Sequence, residues 1–438
     1  MRGLLRTYFP PLPRSVTTLQ VGGLVNAFGN GITLPFLFIY LHNVRGIGLG
    51  VVGLIVGSHA LTSIVAGPIF GILIDRFGGR RMLGTALVIL AGGYALYPFV
   101  HEAWQGFAVA AITGVGVGGF WPSQSTLIAG LTPPADRPAA FAMQRVVMNL
   151  GIGLGALAGG LIATTESPGS FTVLFLLNAL TFVVYAGVML ALVPSPEVGG
   201  GRARTTERTG SYRDVLRHRP FVAVIGLNAL FIFAGFSGFE LIPVYAKNEA
   251  AVSETQIGLV FLVNTLVIVL LQLPIARLAQ GRRRMPALGL VGLLWAGAWL
   301  LVPIAGAKTA AAATILLIGA MAIFAVGECL HGTVHAPLVA DLADPRLLGR
   351  YMALSALSWQ VGFALGPAVG GFVLAYSPNG VWVGAAALCA LGGALAFAVE
   401  GTLPDGARRT PAPASASAQL AGVRLQPDSS SARGQAEA

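Results

Sequence analysis

Glu328 stands well inside a long apolar run, Ala310–Val339, with His331 and His335 following it at helical spacing on one face. An ionisable group in hydrocarbon costs about 2.5–3.5 kcal/mol on insertion scales, so it persists where it faces a cavity or a partner. A carboxyl so placed can take up and release protons, which is the chemistry of energy coupling. A structural hydrogen bond is the plainer alternative. Cys329 adds another metal-ligand type, but helical geometry turns it about 100° from Glu328, which disfavours a metal site. Glu240, ahead of Pro243 and Tyr245 in a second apolar run, is the other carboxyl of this kind. It reads as a proton site, an external gate or an interfacial carboxylate reaching water. Arg145 with Asn149 one turn on, Asn26 with Asn30 on one helix face, and His331 with His335 are polar groups suited to a substrate cavity. Arg145 either snorkels to the surface or needs a carboxylate partner.

A different chemistry is written in Gly71-Ile72-Leu73-Ile74-Asp75-Arg76-Phe77-Gly78-Gly79-Arg80-Arg81. Gly71 and Asp75 share a helix face, and a glycine there admits a neighbouring helix. Asp75 could then accept hydrogen bonds from that neighbour, including from a helix N-terminus with its partial positive charge. Gly78 and Gly79 predict a tight reversal, with Arg76, Arg80 and Arg81 as anchors at a membrane face. A plain basic loop would account for the arginines but not for Asp75 or Gly71.

Composition decides what scaffold carries these groups. Hydrophobic residues make up 55% of the 438, charged ones 10%, and mean hydropathy is +0.77. That balance excludes a soluble globular domain and predicts an all-α polytopic membrane protein. A net charge of +10 does not point to nucleic acid, because the arginines are confined to alternate loops. Spans of about 20 apolar residues are expected at Thr17–Leu41, Gly50–Ile74, Met82–Val100, Trp104–Leu131, Phe141–Thr164 and Phe171–Val193. Six more follow at Phe221–Ala246, Gln256–Leu278, Met285–Ala305, Ala310–Val339, Tyr351–Tyr376 and Val381–Leu403. The domain plan is an N-terminal segment (1–16), a first half (17–193), a linker (194–220), a second half (221–403) and an Ala, Ser and Pro-rich tail (404–438) expected to be disordered. Lys and Arg crowd the side bearing both termini and the linker; the other has only Arg45, Lys247 and Lys308. The termini are therefore expected in the cytoplasm of a plasma-membrane protein. Cys329 and Cys389 lie within apolar runs, and no structural disulfide is expected.

The halves repeat. Asn149-x-Gly151-x-x-x-Gly155-x-x-x-Gly159-Gly160 in span 5 registers with Gln360-x-Gly362-x-x-x-Gly366-Pro367-x-x-Gly370-Gly371 in span 11. Gly155, Gly159, Gly362, Gly366, Pro367 and Gly370 are candidates for helix bending as well as for close packing. The hinge has a degenerate copy, Gly281-Arg282-Arg283-Arg284-Met285, in which the acid is lost. Asp75 is therefore expected to meet the start of span 11, near Leu348–Tyr351. Duplicated halves with binding between them are the organisation of secondary transporters.

The hinge resembles the loop 2–3 signature of the major facilitator superfamily, G-x-L-x-D-R-x-G-R-R, with one extra glycine. Gly327-Glu328-Cys329-Leu330 and Ala336-Pro337-Leu338-Val339-Ala340-Asp341-Leu342 resemble span 10 of a prokaryotic multidrug-efflux branch. The resemblance implies twelve helices in two pseudo-symmetric halves. It also implies proton-coupled export of small lipophilic compounds by alternating access, with Glu328 and Glu240 coupling and the hinge gating. The drug-antiporter patterns are incomplete: Ala156 replaces a span 5 proline, and Ala110 and Thr113 stand where span 4 would carry Arg and Gln. Metabolite uptake on the same fold and a non-transporting receptor or scaffold stay open. No P-loop, G-x-S-x-G or H-E-x-x-H string occurs. The expectation is a transporter rather than an enzyme. It has no cofactor or metal, draws on a proton gradient, and has a small-molecule substrate and the lipid bilayer as its partners. A monomer is expected.

Overall fold

Hydrophobic length dictates the architecture, because in lipid every backbone polar group must be satisfied within its own helix. The computed structural model describes residues 12–133, 136–194, 211–344 and 346–410. Arg2, Arg6, most of the linker and the tail beyond residue 410 lie outside them. Among the described residues, twelve helices are long and apolar enough to cross a membrane. They are α1 (Arg14–Val44), α2 (Leu49–Phe77), α3 (Gly79–Phe99), α4 (Ala103–Leu131), α5 (Arg137–Ile162) and α6 (Gly169–Leu192). The second half has α7 (Arg219–Ala250), α8 (Glu254–Ala279), α9 (Arg284–Gly306), α10 (Ala310–Leu342), α11 (Leu348–Tyr376) and α12 (Pro378–Glu400).

Local chemistry sets the helix ends. Capping boxes start α4 (Glu102 with Gln105) and α8 (Ser253 with Gln256), each satisfying backbone N–H groups that a helix start leaves free. Gly78 ends α2 at φ 84° and Gly281 follows α8 at φ 70°, positions that disfavour a side chain. α1 closes in a π-helical turn, Tyr40–Val44, and α7 is interrupted by another, Ile232–Phe236.

Packing repeats the sequence duplication. α1 lies against α5 and α6, α2 and α3 against α4, and α3 against α6. The second half repeats this pattern: α7 on α11 and α12, α8 and α9 on α10, and α9 on α12. The halves meet along two symmetric seams, α2 with α11 and α5 with α8. The ladder glycines serve close packing. A Cβ at Gly155 or Gly159 would strike carbonyls of α1, and one at Gly362 or Gly370 would strike Ile232 or Leu241 of α7. α11 is helical through Gly366 and Pro367 without a break.

The expected disorder from Pro404 needs correction for its first residues. A turn at Asp405–Ala407 leads to an antiparallel bridge between Arg409 and Arg283, and the Thr410 N–H donates to the Arg282 carbonyl at 3.0 Å. Backbone pairing and burial of Ala407 hold this stretch. Within the linker, a capped helical turn occupies Tyr212–Arg217.

Candidate functional site

Both seams between the halves are closed at one end. At the end away from the linker, small residues bring backbones together: a Cβ at Gly53 would collide with the Pro367 carbonyl, and one at Gly371 would lie 2.6 Å from that of Leu49. On the other seam, a Cβ at Gly160 would come 2.5 Å from the Glu254 carbonyl, and one at Gly258 2.5 Å from that of Ala156. Polar bonds reinforce the closure. Asn43 donates to Asn248 at 2.6 Å, and the Thr255 hydroxyl donates to the Gly160 carbonyl at 2.9 Å. Buried Glu254 accepts from the Thr165 N–H at 3.0 Å and pairs with Lys247 at 2.9 Å. Midway along, Gln360 donates to Ser63 at 3.2 Å. Towards the linker end the seam opens: Gly71 has nothing near its missing Cβ, and Asp75, Arg76 and Phe77 are exposed.

The hinge therefore departs from expectation in one respect. Asp75 makes no hydrogen bond or ion pair among the described residues, so the partner expected at Leu348–Tyr351 is not engaged. The reason is that the contacts holding α2 to α11 run from the far end to the middle of the seam, at Ser63 and Gln360, and Gly71 has no neighbour at its missing Cβ. The rest of the hinge is as its residue types suggest. Gly78 reverses the chain, Arg80 donates to the Leu190 carbonyl at the end of α6, and the Arg76 guanidinium lies 5.2 Å from the Phe77 ring. Arg81 is exposed.

Both intramembrane carboxyls belong to the second half and face charged or polar groups of the first. Glu240 follows the π-helical turn of α7; its Oε2 is buried without a hydrogen-bond partner, within electrostatic range of Tyr94 on α3. Glu328 on α10 lies within electrostatic range of Arg145 on α5. Arg145 crosses between the halves: a Cβ on Gly332, one turn beyond Glu328, would lie 2.8 Å from its Nη2. Arg145 and Glu328 stop short of a direct ion pair. A guanidinium and a carboxyl so placed can respond to a proton or a charged ligand arriving between them.

The polar residues expected in the cavity divide. Asn30 and Asn149 are half-buried, each bonded within its own helix, to Asn26 (3.4 Å) and the Arg145 carbonyl (2.9 Å) respectively. Three others are buried. Asn26 is fully buried in the first half. His331 and His335 are 1% and 4% exposed, and His331 lies within electrostatic range of Arg145 of the first half. Neighbouring helices cover that stretch of the α10 face. The His331 ring lies 5.6 Å from those of both Trp295 and Trp359, and His335 Nε2 is 3.2 Å from the Ser355 hydroxyl. Cys329 points instead towards the Ile268 carbonyl of α8. Among the described residues no cluster of three or more potential metal ligands forms.

Residues 19–251 and 235–427 each match the profile of the Major Facilitator Superfamily. The chain belongs to that superfamily. Among its relatives, the multidrug resistance protein MdtH of Cronobacter sakazakii is 28% identical over 356 residues, covering 81% of this chain and 85% of the relative. MdtH of Yersinia enterocolitica is 28% identical over 355 residues, with the same coverage. The fold is similar to that of the nucleoside transporter NupG (TM-score 0.67, 17% identity, covering 89% of this chain and 99% of that one). It is also similar to the peptide transporter POT solved with sulfate (TM-score 0.71, 16% identity, covering 90% and 95%). This superfamily member is thus a multi-pass transporter and not an enzyme.

Sequence reasoning missed the closed end. Lys247 was read only as a loop charge, and Glu254 not at all. The signal for Glu254 was the capping box Ser253-Glu254-Thr255-Gln256, which fixes a carboxylate at the first turn of a span.

Proposed function

We propose that this protein exports small lipophilic compounds by alternating access, driven by proton entry, from a plasma membrane in which both termini and the linker are cytoplasmic. The observation that carries this reading is the pair of carboxyls, Glu240 with its Oε2 unpartnered among the described residues and Glu328 opposite Arg145, beside a seam sealed at one end and open at the other. Under the charge rule for topology the open end is cytoplasmic, where a lipophilic compound would enter. The relatives named as multidrug resistance proteins support the substrate class.

In this mechanism a proton taken up from outside by Glu328 as substrate leaves removes its attraction for Arg145, and release of that proton to the cytoplasm restores the attraction before the next substrate binds. The two ligands favour different states only through such differential affinity. In the opposite state the cytoplasmic ends of α2 and α11 close, and Asp75 receives the N-terminus of α11 near Leu348–Tyr351. The partial positive charge of that terminus favours the carboxylate.

The test is flux of a panel of lipophilic dyes and drugs in proteoliposomes under an imposed pH gradient. Gradient-dependent movement is expected, and its absence across the panel would overturn proton-coupled export. Glu328→Gln is expected to keep substrate binding and lose the pH dependence of flux. Retained proton-driven flux in that variant would move coupling to Glu240.

A further inference from the structure

The α8–α9 hinge borders a groove of about 660 Å³ that the transport cycle does not use. Its walls are apolar and come from α8, α9 and α10, with Leu278, Leu290 and Leu330 among them. Leu278 is 63% and Leu290 49% exposed, so the groove opens on the outer, bilayer-facing side of the second half. Its mouth is cationic: Arg282, Arg283 and Arg409 all line it.

The charges there do not cancel. Five arginines gather around this hinge, at 282, 283, 284, 408 and 409. Arg283 is held by Glu400 in two bonds of 2.7 Å, Arg284 by Asp341 at 2.5 Å, and Arg408 by Asp405 at 2.8 Å. Arg282 and Arg409 have no carboxylate partner among the described residues, and both are exposed. Their backbones are nonetheless fixed. The Arg283–Arg409 bridge, the Thr410 N–H on the Arg282 carbonyl and the Thr410 hydroxyl on the Ala279 carbonyl set the two guanidiniums beside the groove.

Arg409 also donates to the Gly281 carbonyl at 3.2 Å, so an apolar trough at bilayer depth lies under two guanidiniums that no carboxylate neutralises, which fits one chemistry, a hydrocarbon chain carrying an anionic head. Basic pockets between membrane helices recognise phospholipid head groups in this way. We propose that the groove is a binding site for an anionic phospholipid, with an acyl chain along the α8–α9 wall and its phosphate on Arg282 and Arg409. The short segment 405–410 is then what completes the head-group site.

The experiment is native mass spectrometry of the full chain purified in neutral detergent. It is titrated with phosphatidylglycerol, with phosphatidylcholine of the same acyl chains, and with sn-glycerol 3-phosphate. Phosphatidylglycerol is expected to bind preferentially. At about fivefold per arginine, Arg282→Ala with Arg409→Ala should reduce its binding roughly 25-fold, to the phosphatidylcholine level. Arg282→Lys with Arg409→Lys should retain most of the preference. Leu290→Trp, which fills the trough, should lower retention of both lipids. Equal retention of the two lipids by the unaltered protein would overturn the proposal, as would an alanine pair that binds phosphatidylglycerol normally. Displacement of phosphatidylglycerol by sn-glycerol 3-phosphate at equal concentration would also overturn it, by making the site one for a soluble anion. Should the alanine pair unfold, the lysine pair and the two-lipid comparison still decide.

Discussion

Between α2 and α3 the chain turns on Gly78, and between α8 and α9 on Gly281, both with positive φ. The two turns occupy equivalent places in duplicated halves, and basic residues follow each. Their surroundings differ. At the second, Arg284 is fully buried and paired with Asp341, Arg283 is clamped by Glu400, and the chain beyond α12 returns to add backbone pairing. At the first, Asp75 is exposed and has no partner among the described residues, while Arg80 is tied to the end of α6. One copy of the turn is thus stapled within its own half. The other keeps an exposed carboxylate without a partner among the described residues, which is what a part that exchanges partners requires.

The contrast can be broken most directly at Arg284. Arg284→Ala removes a buried guanidinium and leaves the Ala407 carbonyl and Asp341 without their donor. Because the Asp341 side chain is 46% exposed, the expected loss is about 2 kcal/mol, below that of a fully buried pair. Thermal unfolding in detergent measures it, and an unchanged midpoint would mean the second hinge is not stapled. Arg80→Ala loses one charge-assisted bond to a helix end, so a smaller loss of about 1 kcal/mol is expected by the same assay. Asp75→Asn should leave stability within about 0.5 kcal/mol, while substrate flux falls at least tenfold; normal flux would make the first hinge merely topological.

The smallest effect concerns His218, which precedes α7 and lies 2.9 Å from the Tyr351 hydroxyl. Burial holds the His218 pKa below the usual histidine value. A base with a depressed pKa contributes stability above its unfolded value, near 6.5, and loses it as pH falls through the folded value. Unfolding midpoints of the parent should therefore drop slightly more between pH 7 and pH 5 than those of His218→Asn. Parallel curves would remove His218 from the account.

Much of this was legible in the residues. The spans, the repeat, the Gly78 reversal and the isolated carboxyls of α7 and α10 all follow from local rules of hydrophobic length, glycine geometry and the cost of charge in lipid. What was not legible involved partners far apart in sequence. His331 and His335 share a helix face with Glu328, yet Trp295, Trp359 and Ser355 from other helices bury them. Lys247 reads as a loop charge and Glu254 carries no reading until Thr165 of the other half is set against Glu254.

By itself, then, the sequence determined the number and placement of the helices, the duplication and the residue types available for coupling. Each depends on a stretch of chain no longer than one span and its flanking turns. Only the tertiary structure decided which end of the seams is closed, which residue of the first half Glu328 faces, and that Asp75 stands free while Arg284 does not. Those outcomes depend on how two six-helix bodies lean on one another. That is set by backbone contacts at Gly53, Gly160, Gly258 and Gly371, whose partners no local pattern names.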